Sequence, residues 1–319
     1  MVNPYVNPLF PDMWKVKLSI KSPMKWMNAY LIQGTEGHTI IDPGMDTEQN
    51  RSLWLEIIRS AGGPSHIKQI VVTHHHADHY GLAGWLQKLT GAEVWASEPC
   101  IQQAEFIWLN KERYSDRLFD WMREYGVKGE LLESFRHDHN EYLHSVKMHP
   151  SRFELLTEGQ LIRIGDRNCK VIASPGHAMG HMSLLDEHNQ ILFCGDQILP
   201  QIPPNLSYFV GFDQNPLEDL IQSIERQGQL NVQTALPGHF NPFGRFHKRG
   251  KEIIGYHLNR LELLRDGIHS GLSGLEMTRR LNPRIEIKGA TIKFLLMEIE
   301  VYLQYLRRLD DKPQHRSVE

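Results

Sequence analysis

The chain is poor in cysteine: only Cys100, Cys169 and Cys194 occur in 319 residues. An odd, sparse set excludes a disulfide framework and suits a reducing compartment, so a cytoplasmic location is expected. Long apolar runs are missing too. No stretch approaches the roughly 18 residues of a membrane span, and the mean hydropathy is −0.42. The opening residues, Met1-Val2-Asn3-Pro4-Tyr5, lack the basic and then apolar pattern of a secretory leader. There is no internal repeat and no low-complexity segment. Net charge is small, −3, but unevenly spread. Residues 245–319 hold 15 Lys and Arg against 10 Asp and Glu, a balance of +5, whereas the remainder holds 20 against 28, a balance of −8. An acidic body is a poor partner for a polyanion, so the expected partner is a small molecule rather than nucleic acid or membrane.

What is present is a core and a histidine cluster. Hydrophobic residues make up 40% of the chain, enough for one large domain and a small one. The run Thr73-His74-His75-His76-Ala77-Asp78-His79-Tyr80-Gly81 places four able metal ligands together: His74, His76, Asp78 and His79. The β-branched Ile70-Val71-Val72-Thr73 before it reads as a buried strand, and the residues from Gly81 to Leu89 read as the start of a helix. Side chains alternate along an extended segment, so His74 and His76 point the same way. Asp78 and His79 then turn into the helix and face a second point.

The rest of the chain reads as strands and helices in alternation. Strands are expected at Trp14–Ile20, Met27–Ile32, His38–Ile41 leading into Asp42-Pro43-Gly44, and Ala92–Ala96. A helix is expected from Thr47 to Arg59. Residues 99–155 read as two or three aromatic-rich helices, an insertion that roofs a pocket or thickens the core, with His137, His139, His144 and His149 as surface or lid residues. A hairpin about Asp166-Arg167-Asn168 leads into Ser174-Pro175-Gly176-His177-Ala178-Met179-Gly180-His181. A second hairpin, Ser183–Asp186 and Gln190–Cys194, ends at Asp196, with Cys194 read as a small buried apolar residue. A Pro-stiffened loop follows (199–213), then a helix from Pro216 to Gln227 and a last strand ending at His239. From Arg245 onward the pattern is helical.

The H-x-H-x-D-H run and these strand-end residues, taken in order, resemble the metallo-β-lactamase superfamily over about residues 13–240. The resemblance implies an α/β fold, a four-layer αββα sandwich in residues 1–244. Residues 245–319 resemble a small winged-helix-like helical tail, read as a packing or homodimer-forming appendage. By the resemblance, His74, His76 and His177 hold a first metal; Asp78, His79 and His239 hold a second; Asp196 bridges. Asp42 orients the metal loop and His181 is a structural hydrogen-bonding residue. Asp78 and His79 are the catalytic candidates, with Asp78 a participant in proton transfer. Asn205 and Tyr208 are candidate substrate contacts. The cofactor expected is two divalent cations, zinc first, with iron and manganese as alternatives. Two cations about 3.5–4 Å apart can share a water and make it hydroxide near neutral pH.

The expected reaction is hydrolysis of a small ester, thioester or lactone, and the full ligand set looks like the glyoxalase II branch. His76 stands where the di-iron flavoprotein branch carries Glu, and Asp196 where true β-lactamases carry Cys. Three rivals remain at this point: a single-strand endoribonuclease with the same metals, a mononuclear iron sulfur dioxygenase, and a non-enzymatic metal-binding scaffold.

Overall fold

A computed structural model of the chain describes residues 4–20, 24–212, 214–269 and 272–311. Residues 1–3 of the opening stretch, residue 213 of the 199–213 loop and residues 312–319 of the tail lie outside the described residues.

Period-two alternation builds two sheets. Strands β1 (Val6–Phe10), β2 (Met13–Ser19), β3 (Trp26–Ile32), β4 (His38–Ile41), β5 (Ile67–Val71), β6 (Glu93–Ala96) and β7 (Glu154–Leu155) form the first, in that order. It is antiparallel from β1 to β4 and parallel from β4 to β7. Strands β8 (Leu161–Ile164), β9 (Arg167–Ala173), β10 (Met182–Asp186), β11 (Ile191–Gly195) and β12 (Thr234–Pro237) form the second, ordered β12-β11-β10-β9-β8, with only β11 and β12 parallel. Along β3, Tyr30 and Ile32 face the second sheet while Met27, Ala29 and Leu31 face outward; along β11, Ile191 and Phe193 face the first sheet while Leu192 and Cys194 face outward. A one-residue slip would invert both faces, so burial sets the register. Each buried large apolar side chain is worth about 1.5–3 kcal/mol, whereas an exposed ion pair gives about 0–1.

Helices cover both outer faces. On the first sheet lie α1 (Glu48–Ser60), α2 (Ala77–Tyr80), α3 (Ala83–Thr90), α4 (Glu98–Ala104), a π-helical turn (Glu105–Leu109), α5 (Lys111–Glu124) and α6 (Glu130–Leu143). Thr47 caps α1 by accepting from the Asn50 N–H, and Trp54 Nε1 donates to Pro43 O at 2.8 Å, which pins the helix to the loop after β4. On the second sheet lie α7 (Pro216–Gln227), α8 (Phe246–His269), α9 (Gly274–Leu281) and α10 (Ala290–Asp311). The fold is thus the expected α/β sandwich of four layers. Among the described residues beyond 244 there are three helices and no strand, so no wing accompanies them. Helix α10 belongs to both outer cores: Ile292, Leu296 and Met297 pack with the insertion, Ile299, Tyr302 and Leu306 with the second sheet's helices.

Some local readings change. Strand β1 is not signalled by the sequence, because Pro8 interrupts Val6-Asn7-Pro8-Leu9-Phe10; an edge strand tolerates proline, since one side of it needs no donor. The hairpin turn is at Gly165-Asp166, with Gly165 at φ +58°, and Arg167 already lies in β9. Of the four histidines read as surface or lid residues, His139 is buried and His149 half-buried. His139 is buried with Nε2 2.9 Å from Ser115 Oγ, and His149 Nδ1 lies 2.6 Å from the Tyr80 hydroxyl. Tyr114, Phe119 and Phe135 of the insertion surround His139.

The C-terminal helices share a buried polar network. Tyr302 sits between His257 (Nδ1, 2.8 Å) and Glu298, to which its hydroxyl donates at 3.2 Å, and Arg260 donates to the same carboxylate at 2.7 Å. Substituting Tyr302→Phe keeps the ring and removes the link, leaving buried groups short of a partner. A loss of about 1–3 kcal/mol is expected, read as a lowered urea midpoint by circular dichroism, with the dependence on urea unchanged.

Candidate metal centre

Every residue singled out for metal chemistry stands at the carboxyl end of a strand. His74, His76, Asp78 and His79 follow β5, His177 follows β9, Asp196 follows β11 and His239 follows β12. The strands that run toward this rim from both sheets open a crevice there, where ligands bind in open α/β sheets. Burial of the rings is nearly complete: His74, His79 and His239 are at most 1% exposed, so they have been taken from water for a purpose other than solvation.

The rim brings together three groups whose donor atoms all lie within 4.8 Å of one another: His74, His76 and His177; Asp78, His79 and His239; and His74, His79 and Asp196, which joins the two. In the first group His76 Nδ1 is 3.0 Å from both His74 Nε2 and His177 Nε2. A tetrahedral ion with bonds of 2.0–2.1 Å separates its nitrogens by about 3.3 Å. In the second, His239 Nε2 is 3.3 Å from both Asp78 Oδ2 and Asp196 Oδ2, and His79 Nε2 is 3.4 Å from Asp196 Oδ1.

Four of the five imidazoles, those of His74, His79, His177 and His239, are aimed by a hydrogen bond at the far side of the ring. His79 Nδ1 donates to Asp42 Oδ2 at 2.8 Å, His177 Nδ1 to Asn205 O at 2.8 Å and His239 Nδ1 to Trp26 O at 2.9 Å. His74 Nδ1 donates to Thr73 Oγ1 at 3.0 Å, and that hydroxyl donates on to Asp42 Oδ2 at 2.8 Å. These bonds hold a proton on Nδ1 and direct Nε2 into the crevice, where its lone pair is available to a cation once any proton on it is displaced. The inward atoms His79 Nε2, His239 Nε2 and Asp196 Oδ1 are buried and have no hydrogen-bond partner. Buried groups left so are costly, and a cation removes the cost; the donor set therefore fits divalent metal.

Protonation divides the site. Burial pushes His74 and His76 well below the ordinary imidazole range, helped by the neighbouring imidazoles. His239 goes the other way: burial opposes its charge, but Asp196 and Asp78 outweigh that and hold it at about 10. His79 is likewise raised, against burial, by Asp196, Asp42 and Asp78. Without metal the carboxylates thus keep protons on the second group, while the first stays neutral.

The remaining site residues fall as follows. His181 has both nitrogens engaged: Nδ1 donates to Ser174 Oγ at 2.8 Å and Nε2 accepts from the Asp196 N–H at 3.1 Å, which leaves no lone pair for a metal. Asn205 meets His177 through its backbone oxygen, and its side chain donates to Ser207 Oγ at 2.8 Å. Tyr208 packs on Trp121, ring centroids 5.9 Å apart, while its neighbours Ser207 and Phe209 line the cavity beside His76 and His177. Sequence reading missed Thr73, His75 and Trp108. Trp108 Nε1 donates to His75 O at 3.2 Å, tying the insertion to the metal loop. Nothing in the spacing signals that bond, because it joins residues 33 apart.

Comparison with known proteins agrees with this geometry. A family model for the metallo-beta-lactamase superfamily matches residues 27–239. The chain is 30% identical over 229 residues to acyl-coenzyme A thioesterase MBLAC2 of Gallus gallus, covering 68% of this chain and 73% of that one. It is 30% identical over 219 residues to the probable metallo-hydrolase YqjP of Bacillus subtilis (strain 168), covering 67% and 66%. A metallo-beta-lactamase family protein from Thermus thermophilus superposes with a TM-score of 0.83 at 27% identity over 95% of each chain. With a histidine–aspartate centre at the rim of a four-layer sandwich and relatives of this kind, the chain is a metallo-hydrolase and belongs to the metallo-β-lactamase superfamily.

Proposed function

We propose that the chain hydrolyses small acyl thioesters with a dinuclear zinc centre, esters and lactones being the neighbouring substrate classes. The observation that carries this reading is the pair of ligand groups joined through Asp196, their inward atoms aimed but unpartnered. His74, His76 and His177 would hold one cation, Asp78, His79 and His239 the other, with Asp196 between. The acyl-coenzyme A thioesterase among the relatives supports the thioester class. The three buried, unpaired thiols suit a cytoplasmic setting.

The cations, when bound, would acidify a water and polarise the acyl oxygen. The chain's own residues do the rest. Asp42, Asn205 and Trp26 hold the imidazoles in place. Asp78 is the most exposed side chain of its group, at 22%, so it meets the incoming water and can take its proton. The acyl C–O bond forms, the C–S bond breaks, and carboxylate, thiol and one proton leave. No Ser or Cys nucleophile is required; Cys100 and Cys194 are buried and their thiols are pushed up beyond useful range by desolvation.

Metal analysis by mass spectrometry is expected to find two zinc ions per chain. Dialysis against a chelator should abolish turnover of an acetyl thioester and added zinc should restore it. One iron per chain with oxygen consumption would overturn the reading. Asp42→Ala should lower metal affinity about 10–100-fold, measured by competition with a chromogenic chelator. A Cβ at Gly238 would lie 2.2 Å from Asp196 Oδ1 and 2.5 Å from His79 Cε1. Gly238→Ala should therefore cost turnover and the second cation while leaving the first; retention of both ions at native affinity would contradict the arrangement.

A further inference from the structure

Side-chain cations stacked on aromatic rings are common in proteins, and in this chain most of them are also ion-paired. Arg51, Arg136, Arg167 and Arg260 each lie over a ring and each pairs with a carboxylate. Arg117 and Lys293 differ. Arg117, on α5, lies over Phe106 at 5.4 Å; Lys293, on α10, lies over Tyr114 at 5.5 Å and Tyr142 at 5.1 Å. Neither forms an ion pair or a hydrogen bond with a described residue, and both are partly open to solvent. Lys17 over Trp26 also has no ion pair with a described residue, but it stands on β2, outside the insertion.

Arg117 and Lys293 converge on one aromatic cluster. Phe106 meets Tyr114, Phe209 and Phe212 at 5.8, 5.9 and 5.6 Å. Phe209 meets the His75 ring at 5.6 Å and lines the cavity beside His76 and His177. Two cations without a carboxylate partner among the described residues therefore flank, one ring removed, the wall of the metal crevice. Arg117 stands in the acidic part of the chain, whose balance is −8, whereas Lys293 belongs to the C-terminal stretch, whose balance is +5. In the same cavity Gln103 is 1% exposed and its Oε1 has no partner, a buried acceptor that faces whatever fills the space.

We propose that Arg117 and Lys293 bind the anionic, phosphate-bearing thiol half of the substrate, so that the chain acts on phosphorylated acyl thioesters in preference to neutral ones. This deepens the thioesterase reading and rests on it. Guanidinium and ammonium groups freed of carboxylates are available to phosphate oxygens, and the aromatic wall limits their solvation, which strengthens such contacts. Two segments distant in sequence, the insertion and the C-terminal helix, would supply specificity while the strand ends supply the chemistry.

The test compares acetyl-coenzyme A with S-acetylpantetheine, which has the same acyl group and the same C–S bond without phosphates. In the zinc-loaded chain, Arg117→Met and Lys293→Met should each raise KM for acetyl-coenzyme A about tenfold, with kcat and metal content unchanged and S-acetylpantetheine unaffected. Lys293→Arg, which keeps the charge, should restore most of the loss. Equal effects on both thioesters, or none on either, would overturn the proposal and leave the thioesterase reading standing. If the native chain turns over neither thioester, the thioesterase reading fails. Calorimetric titration with coenzyme A then decides for the cations: affinity lost in both variants upholds the anion site, and affinity unchanged overturns it.

Discussion

One carboxylate holds the centre together. Asp42 accepts from the Thr73 N–H at 2.8 Å, from the Thr73 hydroxyl at 2.8 Å and from His79 Nδ1 at 2.8 Å. Through Thr73 it also sets His74. One residue therefore orients a ring in each of the two ligand groups, and it does so from the end of β4, next to the strand that carries the metal loop. Its backbone is in the left-handed region at φ +54°. For a residue other than glycine that conformation costs about 1–3 kcal/mol, and it persists because the strand before it, Trp54 bonded to Pro43 behind it and three hydrogen bonds at its side chain over-determine the turn. Shifting Asp42 would release both groups at once, which is why the relation between them is rigid.

The charges in the crevice follow from that geometry. Asp42, Asp78 and Asp196 gather around His79 and His239, and burial makes their negative charge expensive unless something compensates it. Without metal the compensation is protonation of the two imidazoles. With the two divalent ions proposed above the balance would reverse: four positive charges would meet three carboxylates, one of which mainly orients. A surplus of positive charge among buried groups suits a reaction in which an oxyanion develops on an acyl carbon. The neutral trio His74, His76 and His177 adds ligands without adding anions, so it preserves that surplus.

Much of this is legible in the sequence, and the reasons differ by level. The H-x-H-x-D-H run is local: its spacing, a β-branched strand before it and a helix after it are one stretch of chain, and the histidines converge as period two predicts. His177, Asp196 and His239 are readable only as strand-end residues in the order of a family pattern, because their convergence depends on sheet pairing between residues far apart. His139 reads as a surface or lid residue and is buried, because helical periodicity says which face is buried only when the neighbour is known; Ser115 is that neighbour. Asn205 is legible as a residue near the site, but spacing does not tell its backbone oxygen, which His177 uses, from its side chain, which Ser207 takes.

The least legible part is the contact between the insertion and the C-terminal helices. Helix α10 packs its Ile292 side against the insertion and its Tyr302 side against the second sheet's helices. Lys293, one residue from Ile292, thereby reaches Tyr114 and Tyr142 of helices more than 150 positions earlier. Trp108 closes the circuit by bonding the insertion to His75 in the metal loop. Metal chemistry is set at strand ends, where backbone pairing fixes positions to a few tenths of an ångström. On the proposal made above, substrate choice would sit on helices held by side-chain packing, which tolerates exchange far better. Such a division lets the wall change without disturbing Asp42 or the rings it orients, and it accounts for an insertion and a tail that meet each other over a centre neither of them builds.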